Sequence, residues 1–156
     1  MTAREIQTGT GAWKIEPTED GIAFLVFDLP GEKVNKLSEE VLDDLDHALD
    51  EIAADKSIRA LVVCGGKEAS GTFIAGADIG EIRALTDQQE ANAKARRGQA
   101  VLGKLSSMKA VTIAAIHGNC LGGGAELALA CDLRIASDFD KSRIGLPEVQ
   151  LGILPG

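Results

Sequence analysis

Three segments of this chain are apolar almost end to end: GIAFLVFDLP (21–30), IRALVVCGG (58–66) and AVTIAAIHG (110–118). Each is short, rich in Val, Ile, Leu or Phe, and closed by Pro or Gly, the pattern of a strand. The second and third, which lack polar–apolar alternation, read as buried-type strands. Helical patterns lie between these runs. LSEEVLDDLDHALDEIAAD (37–55) sets Val41, Leu42, Leu45, Leu49 and Ile52 on one stripe. Ser38 is placed to cap its start, and Glu39 and Glu40 suit its first turn. Strands alternating with helices predict an α/β fold with parallel pairing.

The rest of the chain fills in around this frame. EASGTFIAGADIGEI (68–82) reads as a loop with a short apolar centre, and Thr86 with Gln89 as a capping box for a helix over about 87–107. Gly122-Gly123-Gly124 opens a short helix over about 123–131. LRIASDFD (133–140) reads as a strand and turn, and 142–156 as a strand followed by a Pro-punctuated loop or short helix. No internal repeat is visible. A length of 156 residues suits one domain with one core. The chain reaches Pro155-Gly156 in mid-pattern, so residues 1–156 read as the N-terminal part of a single domain.

Composition narrows the function. A formal net charge of −8 gives no electrostatic footprint for nucleic acid or an anionic membrane. Four Phe, one Trp and no Tyr leave no aromatic platform for single-stranded nucleic acid. Cys64, Cys120 and Cys131 form no CxxC pair and read as reduced thiols, most of them in apolar runs, of a cytoplasmic protein. Two histidines without cysteine spacing make no zinc site, and no metal is expected. The start, MTAREIQTGTGAWK, lacks an apolar signal core, and no membrane span is expected.

Chemistry has few places to sit. The glycine run follows a strand and opens a helix, where unpaired N–H groups and the positive end of the helix dipole meet a ligand. It equally suits a tight turn with close strand–helix packing. It matches neither GxxxxGK[ST] nor GxGxxG, so no phosphate cradle is implied. IAGAD (74–78) is a second small-residue loop. It reads either as a connection with Asp78 as a cap, or, if the two loops converge, as half of a two-donor oxyanion hole. Glu126 stands alone among small and apolar residues. It can reach solvent, pair with a cation or line a cavity; buried, its pKa would rise and suit acid–base work. Glu148, behind Pro147, is either an ordinary helix-start glutamate or the second carboxylate of a pair. No G-x-S-x-G accompanies His117, and His47 faces solvent in the helical pattern.

FIAGADIGEI, AAIHGNCLGGGAELALACDLRIAS and IGLPEVQLGILPG together resemble the enoyl-CoA hydratase/isomerase, or crotonase, family. DLPGEKVNKLSEEVL further resembles the N-terminal hydratase domain of multifunctional fatty-acid oxidation alpha subunits. The resemblance implies a crotonase-like spiral of ββα units, here without its C-terminal helical region. It implies an acyl-CoA thioester as substrate, with no separate cofactor. Backbone N–H groups of Ala77 and Gly123 would be the oxyanion donors, and Glu126 and Glu148 the acid–base pair. Gly156 would help place a water, and Ala75, Gly76, Asp78, Ile79 and Gly122 would line the substrate. The implied reaction is hydration of a trans-2-enoyl-CoA to a 3-hydroxyacyl-CoA in fatty-acid β-oxidation. Delta3-delta2-enoyl-CoA isomerisation, or an inactive module that keeps only the scaffold, are the alternatives. Implied partners are copies of the chain, as a trimer or dimer of trimers, or a thiolase subunit in a longer parent. One departure stands out. Many members carry a lysine near the CoA nucleotide where this chain has Gly80, followed by Glu81, so no CoA-phosphate contact is carried onto that loop.

Overall fold

The computed structural model describes residues 6–156. Residues 1–5, the beginning of the segment read above for a signal core, lie outside the described residues. The three apolar runs are strands β3 (Ile22–Phe27), β4 (Ala60–Gly65) and β6 (Val111–Ile116), paired in parallel at the centre of a six-stranded sheet. The short β1 (Ile6–Gln7) and β2 (Trp13–Pro17) precede them, and β8 (Leu133–Ala136) adds in parallel at the far edge. The sheet order is β1-β2-β3-β4-β6-β8. The parallel expectation fails for the first three strands, which run antiparallel. Only the turn over residues 18–21 joins β2 to β3, too short for a crossover, and it is tied by Thr18 N–H to Ile22 O at 2.7 Å.

A second sheet was not legible in the sequence. β5 (Thr72–Ile74), β7 (Asn119–Leu121) and β9 (Ile144–Gly145) pair in parallel in that order. Each follows a strand of the large sheet, and each is followed by helical structure: α2 (Ile79–Ala84) and α3 (Gln88–Ser106), then α4 (Gly123–Ala130), then a 3₁₀ turn (Glu148–Leu151). The chain therefore repeats one strand in each sheet followed by helical structure, three times over. This is the expected spiral of ββα units, and 68–82 is part of it: a strand and a helix rather than a loop.

The core lies between the two sheets and the helices. Helix α1 (Glu39–Ala54) begins where expected, with Ser38 Oγ accepting from Val41 N–H at 3.3 Å, and buries Val41, Leu45, Ala48, Leu49 and Ile52. Each large side chain so buried contributes about 1.5–3 kcal/mol. Trp13 stacks on Phe27 with ring centres 4.1 Å apart and donates its indole N–H to Val41 O at 2.9 Å. Helix α3 is capped by Asp87, which accepts from Glu90 N–H, so the expected box of Thr86 and Gln89 is shifted by one residue. An acid binds an N3 amide more strongly than a threonine hydroxyl does, because the bond is charge-assisted. Helix α3 is held to α1 by Arg97 with Asp43 and Asp46, and by Lys104 with Asp46 and Asp50. The three cysteines form no disulfide.

Candidate active site

The spiral brings the second strand of each unit side by side, and the site grows from the loops that leave those strands. After β5 the chain turns at Gly76, whose φ of 125° is closed to other residues. Ala77 then makes a parallel bridge to Leu37: Leu37 N–H donates to Gly76 O, and Asp78 N–H to Leu37 O, both at 2.9 Å. In a parallel bridge these bonds use the neighbours' groups, so the N–H of Ala77 itself points to the other side. There it meets the start of α4. A Cβ on Gly123 would stand 3.6 Å from Ala77 N and 3.8 Å from Glu126 Oε2.

The three glycines separate into different jobs. Gly122 sits at φ 51°, and a Cβ there would lie 2.9 Å from Glu148 Oε1. Gly124 packs α4 on β5; a Cβ would lie 2.7 Å from both Cβ and O of Ile74. Gly123, between them, is the first helical residue, so no residue within the helix accepts its N–H. The packing reading of this run thus holds at Gly122 and Gly124, and Gly123 borders the cavity.

Glu126 lies on the next turn of α4. Gly156 N–H donates to its Oε1 at 2.6 Å. Burial raises the Glu126 pKa above the ordinary carboxylate value; the Gly156 bond opposes this, and the nearby charge of Glu148 adds to it. Among the described residues no cation pairs with it; Arg134 donates to Ala128 O and Cys131 O at the end of α4. Glu148 is 9% exposed, and its Oε2 is buried with no hydrogen-bond partner. Ala77, Gly122, Gly123, Glu126, Glu148 and Gly156 border one cavity of about 680 Å³. Ala75, Gly76, Asp78 and Ile79 border it too. Every residue to which the family resemblance gave a role therefore borders this one cavity.

Asp78 and Glu81, which also borders the cavity, have further work. Asp78 caps α2, accepting from Gly80 N–H at 2.8 Å, and pairs with Lys36 at 3.0 Å, which holds its carboxyl below the usual range. Glu81, standing at the departure noted above, accepts from Glu39 N–H at 3.0 Å at the start of α1. The sequence reading missed Asn35, Lys36 and Leu37, the segment that grips the Ala77 loop. The one available signal was a lone amide, Asn35, between Val34 and the start of α1. Leu42, Ile82, Leu85 and Leu102 give the cavity an apolar wall that no sequence motif marks.

Two sheets wound from ββα units, with a glycine-opened helix facing a bridged loop across one cavity, define a crotonase-fold protein. The chain belongs to the enoyl-CoA hydratase/isomerase family, whose family model matches residues 17–156. It is 48% identical over 138 residues to the fatty acid oxidation complex subunit alpha of Shewanella frigidimarina, covering 88% of this chain and 19% of that protein. It therefore spans about a fifth of the length of that relative. Among solved structures it resembles the enoyl-CoA hydratase of Geobacillus kaustophilus (TM-score 0.88, 34% identity), covering 98% of this chain and 55% of that one. It also resembles human mitochondrial delta3-delta2-enoyl-CoA isomerase (TM-score 0.83, 33% identity), covering 93% and 55%. No described helix is long and apolar enough to cross a membrane.

Proposed function

We propose that this chain carries the site of an enoyl-CoA hydratase, adding water to a trans-2-enoyl-CoA in fatty-acid β-oxidation. The observation that carries the reading is the meeting of two carboxylates, Glu126 and Glu148, with the outward N–H groups of Ala77 and Gly123 around one cavity. The thioester oxygen sits between the two N–H groups, which stabilise the enolate charge as it develops. Glu126 takes a proton from water, and the resulting hydroxyl attacks C3. Its raised pKa makes it a better base than an exposed glutamate. Gly156, bonded to the same carboxylate, orients it toward that water. Glu148 supplies the proton that C2 takes as the enolate collapses, leaving a 3-hydroxyacyl thioester. Its unpartnered buried oxygen suits a group whose partner is the substrate. Coenzyme A arrives as part of the substrate, and no other cofactor is needed. A trimer, a dimer of trimers or a thiolase partner belongs to the same proposal.

The likeness to the human isomerase favours a second reading, in which the same oxyanion site only moves a proton between C4 and C2. Two substrates separate the readings. We expect hydration of crotonyl-CoA, followed by loss of enoyl absorbance, to fall on the order of a hundredfold or more in both Glu126→Gln and Glu148→Gln. Near-normal hydration in both variants defeats the assignment. Turnover of a 3-enoyl-CoA without hydration of crotonyl-CoA makes it an isomerase, and absence of both activities marks a scaffold without catalysis.

A further inference from the structure

Asn35 is fully buried in a chain that buries few polar side chains. Its amide nitrogen donates to Phe27 O at 2.6 Å and Phe73 O at 3.1 Å, and its amide oxygen accepts from Leu29 N–H at 3.0 Å. One side chain thus joins the end of β3, in the large sheet, to β5, in the small one. Its main-chain carbonyl accepts Ala75 N–H at 2.8 Å. Two residues on, Leu37 N–H holds Gly76 O.

That last bond matters because of peptide geometry. Gly76 O and Ala77 N–H belong to the same planar trans peptide, in which the two groups point in opposite directions. Fixing the oxygen on Leu37 therefore fixes the N–H toward Gly123. Gly76 is the residue most able to let this peptide rotate, since it has no Cβ. We propose that Asn35 is a positioning residue: by anchoring 35–37 across both sheets, it sets the direction of the Ala77 N–H. The inference rests on the thioester reading above. Asn35 does not border the cavity and acts through Ala75, Leu37 and Gly76. A buried amide with all three bonds satisfied is rigid, and rigidity is what an oxyanion donor requires, since misplacement by about 1 Å can cost on the order of a hundredfold in rate.

The test is Asn35→Ala in the whole chain, read in two ways. The first is steady-state hydration of crotonyl-CoA. The second is isotope-edited infrared spectroscopy of carbonyl-labelled butyryl-CoA, a saturated thioester that binds without reacting. Hydrogen bonds to the thioester oxygen move its band to lower wavenumber. The expected result is a fall in kcat of about 10- to 100-fold with little change in KM, and a clear loss of the band displacement. A variant that is merely less stable, but matches wild type in kcat per folded molecule and in band position, overturns the positioning role. If the variant does not fold, amide exchange of the wild type decides. Leu37 and Ala75 amides protected like those of β5 support the anchor, and exchange at exposed-loop rates overturns it. A wild-type chain that neither hydrates crotonyl-CoA nor displaces the band refutes the thioester reading itself, and this one with it.

Discussion

Replacing Gly124 with alanine tests how tightly α4 must sit on β5. The new methyl would lie 2.7 Å from Ile74 O and from the branched Ile74 Cβ, neither of which is the end of a flexible side chain. Ordinary contact requires a retreat of about 0.7 Å. Overpacking of this kind costs about 1–3 kcal/mol, against a helix-propensity gain of at most about 1 kcal/mol. Gly103→Ala is the matched control. It lies in exposed helix α3 with nothing within 4 Å of its would-be Cβ, so it should gain most of the propensity term. The two variants should therefore differ by about 2 kcal/mol, with Gly124→Ala below wild type and Gly103→Ala above it. Urea unfolding followed by the single buried Trp13 measures both. The same retreat moves the Gly123 N–H and Glu126, so hydration by Gly124→Ala should fall by about tenfold or more, while Gly103→Ala keeps its rate. Equal stability of the two variants refutes the reasoning.

Two further results follow from titration and burial. A carboxyl whose folded pKa is raised weakens the fold as pH rises through its ordinary value, because the unfolded chain ionises first. Glu126→Gln should therefore be more stable than wild type at pH 7, with the gain vanishing at pH 3, as compared by urea midpoints at the two pH values. Burial pushes the Cys120 and Cys131 thiols up to about 11. At pH 8 a thiol-specific reagent should leave both unmodified in the native chain and react with them on unfolding, as peptide mass mapping would show.

The sequence carried much of this fold because its longest elements obey one rule each. Helix α1 has an uninterrupted apolar stripe and a serine cap, and it starts within a residue or two of the expected place. The strands β3, β4 and β6 are unbroken apolar runs. Of the small sheet only β9 was expected, within 142–156; β5 and β7 hold three residues each, too few for any period to register. The repeat was invisible because its three turns end in helical pieces of different length and kind. The site blocks 74–78, 122–126 and 147–148 were legible from their glycines and isolated acids. Their convergence was not, because it depends on the parallel pairing of β5, β7 and β9. Asn35 escaped notice because a single amide in a loop ordinarily faces water.

The spiral also has an order in which it can come apart. In such stacked units each turn is held mainly by its neighbours. Among the described strands β8 pairs with β6, and β9 with β7, so the turn bearing Glu148 rests on the turn bearing Glu126. Trp13 lies toward the opposite edge of the large sheet, stacked on Phe27. A fluorescence melt of this chain therefore watches the wrong end. The geometry that joins Glu148 to Glu126 depends on the pairing of β7 with β9, which this reporter does not sense, so catalytic competence is a stricter measure of its integrity than foldedness.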